Sequence, residues 1–135
     1  CPYCKMFEKQ VVPQLKDVTI YTYLFPLPIH PNAASDAKKI WCSKDRLATW
    51  SAFMQKDTPL PTDVSCDTTG LDKVMKLGTD VVQVDGTPTM VLENGTILPG
   101  MLPADQLNAK LDEISGKVPA ASAPVSAAPA ASAAQ

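Results

Sequence analysis

Two cysteines open the chain, Cys1 and Cys4, with Pro2 and Tyr3 between them and a helix-like run behind them. Thiols one helical turn apart can hold a metal, staple the chain, or exchange disulfides with another molecule. If Cys1 lies at the N-terminal end of a helix, the unpaired N–H groups there stabilise a thiolate at Cys1 more than at Cys4. Pro2 suits that position, because its missing N–H would have had no helical partner. The pair is then unequal, an exposed acidic nucleophile and a shielded resolving thiol. Disulfide exchange needs that inequality, since attack requires a thiolate and release requires a second thiol nearby. A structural zinc site usually needs a second close pair of ligands. Here Cys42 and Cys66 lie far apart and His30 stands alone between Pro28 and Pro31. No metal is expected, and His30 reads as a surface loop residue. A purely structural Cys1–Cys4 bridge closes too short a loop to remove much unfolded-state entropy.

The remaining thiols, Cys42 and Cys66, bring the count to an even four. Spacing leaves two readings open for them: a bridge closing a longer loop, suited to an oxidising compartment, or two separate buried thiols. A further feature is the run Gly86-Thr87-Pro88-Thr89. Proline lacks a ladder donor, so Pro88 belongs at the start or edge of a strand.

These residues need elements to position them, and 135 residues suffice for one domain with its own core. An apolar fraction of 45%, a charged fraction of 19% and a net charge of -2 fit a globular protein. That balance supplies no electrostatic attraction toward nucleic acid or an anionic membrane. Phe7, Val11 and Leu15 recur at steps of four, predicting a helix over residues 5–16 kinked at Pro13. Residues 18–25 are β-branched and aromatic at both parities and predict a strand buried on both faces. Residues 35–56 read as helical, with Leu47, Trp50 and Met54 on one face and Ser43 as a cap between two helical pieces. A shorter helix over 67–77 carries Leu71, Val74 and Met75, with Gly78 as its stop. Asn94-Gly95 between two apolar runs is a hairpin signal. Pro103 then starts a helix whose Leu107, Leu111 and Ile114 line one face, ending at Gly116. From 117 to 135 only Ala, Pro and Ser follow Lys117, apart from Val118, Val125 and Gln135, with prolines every five residues. That composition predicts a disordered tail. The domain division is therefore 1–116 folded and 117–135 tail.

Taken in order, CPYC at 1–4, IWCSKD at 40–45, SCD at 65–67 and GTPTMVLENGTILPG at 86–100 resemble the catalytic domain of the DsbC/DsbG disulfide isomerase family. The resemblance spans nearly all of residues 1–116 and none of the tail. It implies an α/β thioredoxin-like fold with a helical insertion, lacking in this chain the strand that leads into the first cysteine. It also implies that Cys1 attacks and Cys4 resolves, with Pro2 and Tyr3 between them. Pro88 is implied to be cis, with Thr87 contacting an extended substrate segment, and Cys42–Cys66 to be a structural disulfide. The implied activity is periplasmic thiol–disulfide isomerisation of misoxidised or misfolded proteins. It needs no cofactor beyond the Cys1/Cys4 dithiol and leaves no role for nucleic acid. A membrane reductase of the DsbD kind is the implied electron source, and a homodimer forms through an N-terminal domain outside this chain. A signal peptide is expected upstream. The rival readings are a DsbG-like redox chaperone, an oxidase that donates disulfides, and, least favoured by the spacing, a metal-binding module.

Overall fold

The computed structural model describes residues 1–116, so the segment read as a tail lies outside the described residues. The chain divides into two compact units. One comprises Pro2–Thr19 and the chain from Gly86 onward; the other comprises Ile20–Asp85 together with Cys1.

The first unit begins with helix α1, Pro2–Met6, which continues as a π-helical turn, Phe7–Val11, and a 3-10 turn, Val12–Gln14. The helical run is therefore present but changes its winding twice. Pro13 supplies the reason: in an α-helix its ring would collide with the carbonyl four residues back, at Lys9. The backbone widens instead, and the Val12 N–H donates to the Phe7 carbonyl, five residues earlier. Phe7 and Val11 still share a buried face and form the core with Leu107, flanked by Leu15, Met90, Leu98 and Leu111.

Strand β1, Thr89–Val91, pairs antiparallel with β2, Ile97–Pro99, placing Met90 opposite Leu98. Between them Gly95 takes φ +89° and its N–H donates to the Leu92 carbonyl at 2.8 Å. The Asn94 side chain accepts from the Thr96 N–H at 3.0 Å. Those two residue types are what a tight reversal of the chain requires, a left-handed backbone and a local acceptor. The last helix of the unit, here α5, spans Ala104–Ser115. Pro103 stands at its N-cap with extended backbone, one position outside the helix, and Gly116 closes it at φ +80°. Asn108 ties the helix to the end of the opening helical run. Its amide donates to the Gln14 carbonyl at 2.9 Å and accepts from the Lys16 N–H at 3.1 Å, serving backbone groups that the helix end leaves unpaired.

In the second unit, helix α2 spans Ala33–Trp41, α3 spans Arg46–Lys56 and α4 spans Thr69–Leu77, followed by a π-helical turn, Gly78–Val82. The break between α2 and α3 has Ser43 as a cap, as the sequence reading has it, and a second capping residue, Asp45. Ser43 donates its hydroxyl to the Ile40 carbonyl at 2.7 Å, closing α2. Asp45 is the N-cap of α3, accepting from the Ala48 N–H at 3.0 Å. On α3, Met54 is buried, whereas Leu47 is 68% exposed, so the apolar face does not reach back to the first turn. Gly78 is not a stop: it keeps helical dihedrals, and the helix ends at Gln83, φ +60°. Glycine is needed there because a Cβ would lie 2.6 Å from Cε1 of the Phe25 ring.

Residues 18–25 correct the sequence reading most clearly. They form no strand, and Val18, Ile20, Tyr21 and Tyr23 are exposed, Tyr21 by 77%. β-propensity expresses itself only where a neighbouring strand completes the ladder. Among the described residues, β1 and β2 are the only paired strands.

Candidate active site

Cys1 immediately precedes α1, and Cys4 lies within it, one turn along. Both are disulfide-bonded, and none of the described cysteines is a free thiol. Both are half-buried, so exposure alone does not distinguish them. Their positions on the helix do. Cys1 stands at the mouth of the opening helical run, where backbone N–H groups have no preceding helical turn to accept from them, and Cys4 is inside it. Pro2 fills the first helical position, and Tyr3 is 41% exposed beside it.

Thr87 and Pro88 are joined by a cis peptide bond and lead directly into β1. The segment is held by the hairpin's far side: the Gly100 N–H donates to the Pro88 carbonyl at 2.8 Å. On its near side the Thr89 hydroxyl donates to the Gly86 carbonyl at 2.7 Å. Both residues are half-buried.

Cys42 and Cys66 are brought together in a disulfide across a sequence separation of 24, with Cα atoms 5.4 Å apart. It links the end of α2 to the approach to α4. Around it Trp41 is clamped from two sides. The Arg46 guanidinium stacks 3.9 Å from the ring centroid while its Nε donates to the Trp41 carbonyl at 2.6 Å. Gly70 on α4 comes so close that a Cβ there would lie 2.5 Å from Cζ2 of the indole. Next to Cys66, the Asp67 carboxylate accepts from the Thr69 hydroxyl and, at 2.9 Å, from the Thr69 N–H. These two bonds, the hydroxyl first, hold the Asp67 carboxyl below its ordinary range.

Sequence reasoning missed the Trp41 clamp, whose three members are close only in space, and it missed Glu8. Glu8 is 8% exposed and is the buried charged residue among those described. Its signal was present in the chain, a carboxylate beside Phe7 on an otherwise apolar flank and four residues after Cys4. Among the described residues no three His, Cys, Asp or Glu side chains are grouped to hold a metal ion. No described helix is long and apolar enough to cross a membrane.

Comparison with known proteins adds relatives to this geometry. A family model described as a thioredoxin-like domain matches residues 1–115. A protein of Bordetella pertussis named as a probable thiol:disulfide interchange protein DsbC is 32% identical over 111 residues, covering 82% of this chain and 38% of its own length. The thiol:disulfide interchange protein DsbC of Escherichia coli is 33% identical over 115 residues, covering 84% of this chain and 47% of its own. The chain thus spans less than half the length of these two curated relatives. The crystal structure of a disulfide interchange protein from Neisseria gonorrhoeae superposes with a TM-score of 0.75 at 34% identity, covering 84% of this chain and 79% of that one.

Proposed function

We propose, on the premise that this chain belongs to the thioredoxin-like family, that it is the catalytic domain of a periplasmic thiol–disulfide isomerase acting on misoxidised proteins. The observation that carries the reading is the Cys1/Cys4 pair itself, one sulfur at the mouth of the opening helical run and the other one turn inside it. Relatives named for thiol:disulfide interchange support it.

In the reduced protein the Cys1 thiolate attacks one sulfur of a client disulfide. A Cys1–client disulfide forms, the client S–S bond breaks, and the other client sulfur leaves as a thiolate. That freed thiolate can attack elsewhere in the client and expel Cys1, which rearranges the client with no net electron transfer. Alternatively Cys4 attacks Cys1, the Cys1–Cys4 bond closes, and the client departs reduced by two electrons. The dithiol is the whole redox apparatus, with no added cofactor or metal. A membrane reductase of the DsbD kind returns the pair to its reduced form, and dimerisation belongs to sequence outside this chain. Thr87 and Pro88 present backbone to an extended client segment; the bond from the Gly100 N–H to the Pro88 carbonyl holds that backbone against the hairpin. The Cys42–Cys66 bond is structural and takes no part in exchange.

The test is alkylation of reduced Cys1 as a function of pH, run beside reactivation of scrambled ribonuclease. The expected outcome is an apparent Cys1 pKa well below the ~8.5 of a free thiol, with reactivation lost in Cys1→Ser. An ordinary thiol pKa, or reactivation that survives Cys1→Ser, refutes the reading. Net oxidation of reduced ribonuclease without reshuffling assigns the chain to disulfide donation instead.

A further inference from the structure

The turn that joins β1 to β2 has no part in thiol exchange, yet two of its residues carry a chemistry of their own. An asparagine followed by glycine is the least protected of asparagine pairs. No Cβ on the next residue shields the asparagine side chain from the following backbone nitrogen. In this chain the pair occurs once, at Asn94-Gly95, since Asn32 and Asn108 both precede alanine. Both residues of the pair are exposed, and nothing lies within 4 Å of the place that a Cβ on Gly95 would occupy. Water and a ring-closing movement of the side chain therefore have room. The reacting groups themselves are tied. The Gly95 N–H, which must lose its proton before the nitrogen attacks, donates to the Leu92 carbonyl at 2.8 Å. The Asn94 Oδ1, on the carbon that would be attacked, accepts from the Thr96 N–H at 3.0 Å. The hairpin behind this turn is short: three residues pair on each strand, and the Leu92 N–H closes the ladder on the Thr96 carbonyl at 2.9 Å. Exposed tips of such short elements open locally while buried residues stay in place.

We infer that Asn94 is a site of spontaneous modification and that opening of the β1–β2 turn gates it. In the opened turn the Gly95 nitrogen gives its proton to hydroxide and attacks Cγ of Asn94. A carbon–nitrogen bond forms, the Asn94 amide nitrogen takes a proton from water and leaves as ammonia, and a cyclic imide joins the two residues. Water then adds to either imide carbonyl and breaks its bond to the Gly95 nitrogen. Attack at the side-chain carbonyl gives aspartate in the ordinary linkage. Attack at the backbone carbonyl gives isoaspartate, with the chain continuing through the former side chain. In sum an amide and a water become a carboxylic acid and ammonia, with nothing oxidised or reduced. Isoaspartate lengthens the backbone of the turn by a single carbon, so the Gly95 N–H and the Leu92 carbonyl no longer meet in the same reversal. The far end of the hairpin feels the change, because Gly100, the residue after β2, donates its N–H to the Pro88 carbonyl. A hairpin modified at its tip therefore holds Thr87 and Pro88 less firmly. What this does to client contact rests on the exchange reading of those two residues; the chemistry at Asn94 does not.

The full chain is aged at mildly alkaline pH in water enriched in heavy oxygen, once folded and once unfolded in urea. It is then digested in ordinary water and its peptides are mapped by mass. Loss of ammonia and uptake of heavy oxygen are expected at Asn94 before either appears at Asn32 or Asn108. Release of two neutral hydrogen bonds corresponds to roughly 10–100-fold in an opening equilibrium, so Asn94 should react faster in urea by that factor. An Asn94 that keeps its amide even in urea overturns the site, and equal rates in the folded and unfolded chains overturn the gate. Asn94→Gln, which must close a larger and slower-forming ring, is expected to lose the label from the turn peptide. Label that persists there overturns the assignment to Asn94. In the isoaspartate form, separated by chromatography, the Gly100 amide should exchange with heavy water faster than in the fresh chain. Unchanged exchange overturns the effect on Pro88. None of these measurements uses a cysteine, so a failure of thiol exchange refutes the exchange reading and leaves the modification to be judged by its own results.

Discussion

Removing the Cys42–Cys66 bond tests whether the helical unit depends on it. The perturbation is the double substitution Cys42→Ala with Cys66→Ala. With the two cysteines separated by 24 positions along the chain, loop-closure entropy in the unfolded state puts the loss at about 3.5 kcal/mol. The clamp around Trp41 cannot replace the bond, because Arg46 is exposed and Gly70 contributes no side chain. Both tryptophans of the protein, Trp41 and Trp50, lie on α2 and α3 of this unit, so intrinsic fluorescence reports its unfolding directly. In urea the midpoint is expected to fall by roughly 1–3 M, taking the usual span of denaturant slopes for small proteins. Alkylation of reduced Cys1 should persist under native conditions, because Cys1 immediately precedes α1, apart in sequence from the bond removed. An unchanged midpoint at an unchanged slope would refute the reasoning. So would loss of Cys1 reactivity in a variant that remains folded by circular dichroism.

Three other perturbations address the remaining joints. Leu107→Ala empties the centre of the Phe7–Val11–Leu107 core, where Leu107 is 2% exposed, and should cost about 2–5 kcal/mol in chemical denaturation. Gly78→Ala gains helix propensity of about 1 kcal/mol. It also drives a methyl to 2.6 Å from the Phe25 ring, an overpacking worth about 1–3 kcal/mol, so the thermal midpoint should fall. A rise in the midpoint would show that Phe25 moves aside freely. For Asp67, the folded carboxyl is held below its unfolded value, so its contribution is present above an unfolded pKa of about 3.9 and disappears as pH falls through the folded one. Thr69→Val removes the hydroxyl donor and should shrink that acid-range loss; an identical acid limb in urea titrations at successive pH values counts against the assignment.

Local signals were legible where the chemistry that makes an element is contained within it. Asn94-Gly95 marks the reversal between β1 and β2 because a left-handed glycine and a side-chain acceptor act over three residues. Gly116 ends α5 for the same kind of reason, and Pro13 disturbs the opening helix through a clash that spans four residues. Ser43 was legible as a cap between two helices, but not the end it caps, because a hydroxyl serves either end of a helix. Which end it serves depends on the neighbouring carbonyl, and Asp45 caps α3. Gly78 was misread because a glycine demanded by a remote ring looks, in sequence, like one demanded by a turn. Residues 18–25 were misread because strand formation is a property of two segments and only one was in view.

By itself the sequence determined the spacing of Cys1 and Cys4, the proline between them, the stripe of Phe7 and Val11 behind them, and the hairpin that follows Pro88. Each of these is set by covalent order and contacts a few residues long. Only the tertiary structure decided that Trp41 is held between Arg46 and Gly70, that Gly78 makes room for Phe25, that Asn108 closes the opening helical run, and that Glu8 is buried. Such facts arise when distant segments compete for the same volume or the same hydrogen bond, and no local propensity carries information about which segment wins.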